Sequence, residues 1–332
     1  MDLTTTYLGL RLAHPIMPGA SPMADDLDHV KKLEDAGASA IVMRSLFEEQ
    51  IVREQIGAAA HIYDLEGAHV EALSYLPPTS VFAMGPERYL EQLRRIRAAV
   101  AVPVIASLNG TTPGGWVEYA RLMEQAGAHA LELNLYTIPT DVDETAQAIE
   151  ERGLAVVTAV AAEVKIPFAV KLSPFYSSLP NFTKRLTLAG ARGVVLFNRF
   201  YQPDIDIDEL DVTHALHLSD SSELNLRLRW LAILSGRTPL SLAVSGGVHT
   251  GVDAVKAMMT GAHAVQVVSA LLKRGPGYLR TLIDEVSAWL EEHEYESVAQ
   301  LTGSMNLERS PNPAAYERAN YMTLLQSFHG DW

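Results

Sequence analysis

No cysteine occurs anywhere in the 332 residues. Disulfides, thiolate metal sites, cysteine nucleophiles and any iron–sulfur cluster held by the chain's own thiolates are therefore excluded. Basic residues are scarce: 26 Lys and Arg stand against 40 Asp and Glu, a formal charge of −14. That balance argues against a nucleic-acid surface and against docking on an anionic membrane, and points to a small-molecule ligand. The chain has no uninterrupted apolar run of 18 residues, and its opening MDLTTTYLGLRLAHPIM carries no basic leader ahead of an apolar stretch. The reading is of a soluble, cytoplasmic protein. The dinucleotide fingerprint GxGxxG is missing as well, since GGVHTG does not match it, so no nicotinamide domain is evident.

What is present is a core-forming composition, 48% hydrophobic, organised by two alternating signals. A proline stands immediately before an apolar strand at Pro15, Pro103, Pro167 and Pro239; a Gly-Ala pair closes a helix before the next strand at Gly37, Gly127, Gly190 and Gly261. Proline-to-glycine spacings are 22, 24, 23 and 22 residues. One such glycine is an ordinary helix cap, but four at near-constant spacing are a repeat. Four βαβ quarters make eight strands, which predicts an α/β fold with a single (β/α)8 barrel over residues 1–303 and a helical extension over 304–332. Glycine-to-proline distances of 66, 40 and 49 place insertions after strands 2 and 6, on the face where barrels carry catalysis. The first insertion runs from Leu46 to about Gly85; the second begins at Arg199 and holds the acidic run Asp204, Asp206, Asp208, Glu209 and Asp211, read as a solvated loop in preference to a cation site. Beyond the eighth strand, Leu279, Leu282, Ile283, Val286 and Leu290 form a helical stripe that should close the barrel. Asn312-Pro313 is a helix-start signal for the tail, followed by Tyr316, Ala319, Leu324 and Phe328; this tail should cover the barrel or touch another subunit.

Barrel chemistry belongs at the carboxyl ends of strands. Those ends read Gly19-Ala20-Ser21, Arg44-Ser45, Ser107-Leu108-Asn109-Gly110, Glu132-Leu133-Asn134-Leu135, Lys171-Leu172-Ser173, Asn198-Arg199, Gly246-Gly247 and Ser269-Ala270. Backbone N–H groups from the last two turns can converge on one phosphate, although each alone is equally a tight turn or a helix cap. Lys171 closes a buried strand. It is a Schiff-base nucleophile, a phosphate partner, a fixed cation facing a cofactor that becomes anionic, or one half of a structural ion pair with Glu132. Asn109, Asn134 and Asn198 suit the edge of a planar heterocycle better than a metal. His214 and His217 stand three apart on a possible helix without a third ligand at a convincing spacing, so no metal is expected.

Taken together and in order, PIMPGAS, SLNG, ELNL, VKLSP, VSGGV and VVSALL, with the later YESVAQLTG, resemble the dihydroorotate dehydrogenase family, whose members are flavin mononucleotide (FMN) enzymes of pyrimidine biosynthesis on a (β/α)8 barrel. The resemblance implies that Ala20 and Ser21 lie along the flavin ring and that Asn109 also belongs to the cofactor site. It puts Asn134 between flavin and substrate, and Lys171 beside the flavin N1 and C2 carbonyl. Gly246, Gly247, Val268, Ser269 and Ala270 match the phosphate turns, and Asn198 an asparagine that reaches the substrate.

The departures bear on function. Where the family's loop after ELNL carries a Cys or Ser base, this chain has Tyr136-Thr137-Ile138-Pro139-Thr140, leaving Thr137 or Tyr136 to serve. Arg44 replaces a family lysine, and a planar guanidinium does not reproduce a point ammonium. The leading expectation is an FMN-dependent oxidoreductase acting on CH–CH groups. It would pass hydride between a small anionic substrate and flavin N5, the substrate not necessarily dihydroorotate. Genuine dihydroorotate oxidation, a non-redox barrel with Lys171 as Schiff-base lysine, and a flavin-binding subunit without chemistry of its own are the alternatives. Electrons would leave through a small acceptor or a redox partner protein, and a homo-oligomer is the other assembly considered.

Overall fold

A computed structural model describes residues 1–47, 85–109, 113–135, 137–200, 202–213, 216–318 and 320–327. Eight parallel strands follow one another around a nearly closed barrel: β1 (Ile16–Pro18), β2 (Ile41–Phe47), β3 (Val104–Asn109), β4 (Ala130–Leu135), β5 (Phe168–Leu172), β6 (Gly193–Leu196), β7 (Ser241–Ser245) and β8 (Ala264–Val267). Between β1 and β2 the seam is drawn together by Ser39, whose backbone N–H and hydroxyl both donate to the Ile16 carbonyl, at 3.4 and 2.8 Å. Each strand is followed by a helix: α1 (Leu27–Asp35), α2 (Pro86–Ala99), α3 (Pro113–Gln125), α4 (Ala146–Glu163), α5 (Leu179–Leu188), α6 (Leu224–Leu234), α7 (Gly251–Thr260) and α8 (Tyr278–Glu292).

The repeated sequence signals have local causes. Gly37, Gly127, Gly190 and Gly261 all sit at positive φ, between 95° and 120°, so each ends its helix in a conformation that costs a side-chain-bearing residue energy. The prolines begin strands, where a missing N–H costs nothing, and the carbonyls of Pro15, Pro103 and Pro167 accept from Val265, Ile41 and Leu131 of neighbouring strands.

Histidines follow the repeat too. His129 and His263 each follow a Gly-Ala pair, and their Nδ1 atoms accept the N–H of Val104 and Leu242; Nδ1 of His14 accepts from Ile16 while Nε2 donates to the Gly37 carbonyl. Burial holds all three imidazoles below their ordinary range, because the charged form is poorly solvated there. The unfolded chain takes up these protons near pH 6.5, so the stability they confer is complete above that pH and is lost as pH falls through it towards the depressed folded values. The urea midpoint is expected to be lower at pH 5.5 than at 7.5. Replacing His129 and His263 by Gln should shrink that difference; an unchanged difference would contradict the assignment.

Inside the barrel, alternate residues form layers. At the amino-terminal end Ile105, Ala130, Ala169, Val195, Ala243 and Ala264 make an apolar layer, and its small residues leave room for Tyr7, Leu8 and Leu12 of an antiparallel hairpin (Thr5–Tyr7 with Leu10–Leu12) that plugs the barrel floor. Two residues further along the same strands the interior turns polar, with Ser107, Glu132, Lys171, Ser245 and Gln266 all buried. The larger core lies outside the strands, between sheet and helices, and includes the stripe Leu279, Leu282, Ile283, Val286 and Leu290 of α8 as expected.

Both insertions fall where the spacing placed them, although most of the first lies outside the described residues. The second contains a hairpin, Asp204–Asp206 with Asp211–Thr213, whose acidic residues are largely occupied with their own turn: Asp206 Oδ1 accepts the N–H groups of Asp208 and Glu209. Among the described residues no group of three or more His, Asp or Glu is placed to hold a metal, and no helix is long and apolar enough to cross a membrane. His214 lies outside the described residues, and His217 is exposed. The tail differs from expectation at Asn312-Pro313, which starts a single 3-10 turn (Pro313–Tyr316); a separate short helix follows at Asn320–Gln326. The cause is a tether: the Tyr316 hydroxyl donates to the Met305 carbonyl at 2.7 Å, drawing the turn back to the barrel side. Upstream, Gly303, Met305 and Leu307 donate backbone hydrogen bonds to Met258, Met259 and Ala232. Ala319 and Phe328 lie outside the described residues.

Candidate active site

The polar interior layer brings Lys171 to the centre. Its strand is buried on both faces, so the side chain at this pleat position points into the barrel and keeps 5% of its exposure. Nζ donates to Glu132 Oε1 at 3.1 Å and to Gln266 Oε1 at 3.2 Å; the Gln266 amide nitrogen in turn donates to Glu132 Oε2. The ion pair named above as the structural alternative is thus present. It is completed by Gln266, which supplies hydrogen bonds that a buried pair needs to offset its lost solvation. An ammonium has three hydrogens, and this network uses two.

The third direction opens on a pocket of roughly 580 Å³ including its open mouth. It gathers Ala20, Lys171, Asn198, Gly246, Gly247, Val268 and Ser269 from the ends of five strands, β1 and β5 to β8. Gln266, Ser219 and Arg199 also line it. Gln266 was legible in principle, as the one polar residue of the apolar strand AVQV at an inward position. Ser219 was not, because it reaches the site from the end of the second insertion.

At the β7 and β8 end the pocket is lined by backbone. Gly246 and Gly247 have φ of 87° and 82°, and the turn is fixed by a capping box at the start of α7, in which the Thr250 side chain accepts from Asp253 N. Asp253 Oδ2 accepts from His249 N, Thr250 N and the Ser221 hydroxyl, tying the second insertion to the turn. Ser219 lies over both turns: its N–H donates to Ser269 Oγ at 3.2 Å, its hydroxyl pairs with His249 Nε2 at 3.1 Å, and its carbonyl accepts from Lys273 Nζ at 2.9 Å. Burial and the nearby Lys273 ammonium push the His249 imidazole below its usual range, so the ring is neutral at pH 7. The Arg199 guanidinium pairs with Glu223 at 3.0 Å, and the Glu223 backbone packs against Gly247.

Of the remaining expected residues, Arg44, Asn109 and Asn134 lie on β2 to β4, away from this pocket. Arg44 is tied to Asp25 at 2.8 Å. The Asn134 amide nitrogen faces Ser45 Oγ, Ser107 Oγ and the Leu108 carbonyl at 2.9 to 3.1 Å, with Asn109 buried beside it at the next strand's partner position. Ser21 is buried ahead of a 3-10 turn, and Ala270 is buried in the short helix Ser269–Arg274. Thr137 is exposed and faces a second, larger cavity rather than the Lys171 pocket. Tyr136 lies outside the described residues.

This geometry suits a ligand with an anionic group at one end and a ring or carbonyl at the other: glycine and serine backbone groups at the first, a held ammonium at the second. FMN has that form, and the donor set fits it. Comparison with known proteins bears on the same point. A family model described as dihydroorotate dehydrogenase matches residues 2–290. The chain is 28% identical over 312 residues, 91% of its own length and 97% of the other's, to an Aeropyrum pernix protein named "Putative dihydroorotate dehydrogenase A (fumarate)". It is 25% identical over 311 residues, 91% and 98% of the two lengths, to the dihydroorotate dehydrogenase B (NAD(+)) catalytic subunit of Thermoplasma volcanium. Identity to the Methanocaldococcus jannaschii protein of that name is 25% over 298 residues, covering 87% and 94%.

Proposed function

Since the chain belongs to the dihydroorotate dehydrogenase family and so to oxidoreductases acting on CH–CH groups, we propose that it is an FMN-dependent member whose substrate is a small anion other than dihydroorotate. The observation that carries this is the meeting, in one pocket, of Lys171 with the glycine turn after β7 and the Ser269 turn after β8. Gly246, Gly247, Val268, Ser269 and Ala270 would hold the phosphate end, with Ala20, Ser21, Asn109 and Asn134 along the ring. Bound FMN would supply the hydride acceptor, gaining negative charge near N1 and the C2 carbonyl as it is reduced.

The chain's own part is electrostatic and positional. Glu132 and Gln266 hold Lys171 in place, so its charge needs no reorganisation when charge develops opposite it. Arg44, Asn134 and Asn198 would orient the substrate, Arg44 as a guanidinium already braced by Asp25. The loop Tyr136 to Thr140 offers no Cys or Ser to take the substrate proton, which is the reason for looking beyond dihydroorotate. Genuine dihydroorotate oxidation is the second reading, favoured by the names of the relatives; Thr137 or Tyr136 would then be the base. Lys171 Nζ is already engaged by Glu132 and Gln266, which weighs against the Schiff-base alternative, where the amine must be free to attack a carbonyl. With no cysteine and no dinucleotide fingerprint, and with relatives named as catalytic subunits, the electrons would pass to a small acceptor or a redox partner protein.

Anaerobic stopped-flow mixing of the FMN-reconstituted protein with dihydroorotate tests the proposal. The expected result is no bleaching of the oxidised flavin band within the time that dithionite bleaches it fully. Rapid bleaching by dihydroorotate would establish the second reading instead.

A further inference from the structure

The larger cavity lies behind the loop that follows β4. Residues next to one another in sequence serve opposite sides: Asn134 and Arg199 turn towards the barrel centre or its pocket, whereas Leu135 and Phe200 line this second space, joined by Ser173 from beyond the end of β5. It encloses about 1170 Å³ including its mouth, between the Thr137–Pro139 segment, α4 and the loops after β5 and β6. Leu135, Ile138, Ile149, Val156, Phe175 and Phe200 make it largely apolar, and Phe175 meets Phe200 edge to face at 5.1 Å. Yet Phe175 and Ile138 stay 70% and 68% exposed, so this apolar wall faces water.

Two further observations define an occupant. Both charged side chains among the described lining residues are already paired: Arg152 with Glu144, and Glu150 with Arg185 at 2.7 Å. A charged ligand would find no open counter-charge there, whereas a neutral ring would lose little on entering. Gly153, in the interior of α4, is the second. Glycine is a poor choice inside a helix, and here alanine would fit, since a Cβ would meet only Leu135 Cδ1 at 3.5 Å and Phe182 Cζ at 3.9 Å. Neither backbone conformation nor crowding requires the glycine; what it preserves is the open cavity.

We propose that this cavity is a binding site for a neutral aromatic ligand, distinct from the pocket at Lys171 and adjoining it through the segment after β6, where Arg199 lines the one and Phe200 the other. The assignment does not rest on the hydride-transfer reading, and its test uses no turnover. The FMN-reconstituted protein is titrated with N-phenyl-1-naphthylamine, a neutral aromatic probe that brightens on leaving water. Saturable enhancement is expected and should survive excess FMN. The same ring system carrying a sulfonate, 1-anilinonaphthalene-8-sulfonate, should bind at least tenfold more weakly. Gly153→Leu, which fills the floor, and Phe175→Asp, which puts an unpaired charge on an exposed wall position, should each weaken the neutral probe at least tenfold. No saturable binding, displacement by FMN, equal affinity for the sulfonate, or wild-type affinity in a folded variant would each overturn the proposal. Should Gly153→Leu fail to fold, Phe175→Asp decides, because its site is exposed.

Discussion

Replacing Lys171 by Met is expected to slow reduction of bound FMN by about 10²- to 10³-fold, the usual effect of removing one preorganised electrostatic donor from a catalytic site. The same change should also destabilise the protein by about 3–5 kcal/mol, because it leaves the Glu132 carboxylate, 1% exposed, without its cation. The two effects separate in a double variant. Lys171→Met with Glu132→Gln removes both charges, leaves Gln266 a neutral partner, and should recover most of the urea midpoint while reduction stays slow. Flavin reduction at the wild-type rate in the folded double variant would show that the lysine is structural only. FMN affinity should change less than the reduction rate in both, since the charge matters most after electrons arrive.

Gly247→Ala is expected to cost on the order of 3 kcal/mol of stability, and the reason differs from the one the sequence suggests. From the sequence, bulk at Gly247 should crowd a phosphate. In the structure an added Cβ would lie 2.5 Å from the backbone nitrogen of Leu224 and 2.8 Å from its Cα, at a φ of +82° that side-chain-bearing residues rarely adopt. The clash is with the start of α6, before any ligand is present. Urea denaturation should therefore register the loss in protein stripped of FMN. Gly277→Ala is the matched control: nothing lies within 4 Å of a Cβ there and φ is ordinary, so its midpoint should match the wild type. If Gly247→Ala were as stable as that control, the packing of α6 on the turn would have to be reconsidered.

Much of the site could be read from the chain because strand ends are predictable once strands are. Ala20, Lys171, Asn198, Gly246, Gly247 and Ser269 were named from their positions after proline or glycine signals, Val268 from the family resemblance, and one pocket gathers them. Arg44 and Asn134 were named by the same rule, yet Arg44 faces Asp25 and Asn134 the Ser45 and Ser107 hydroxyls. A strand position fixes the direction of a side chain but not its partner. Thr137 was harder still: it follows a strand in a loop, where no periodicity constrains direction, and it faces the second cavity.

The sequence by itself determined the eight-strand count, the places of the insertions, the helix ends at the four positive-φ glycines and the absence of thiolate chemistry. All of these depend on composition or on conformational preferences acting within a few residues. Only the tertiary structure decided that Lys171, Glu132 and Gln266 form one buried network, that Ser219 closes over two turns, and that a large apolar cavity backs the Thr137 loop. Those contacts join residues 28 to 134 positions apart, and their geometry is set by how the closed barrel aligns its strands.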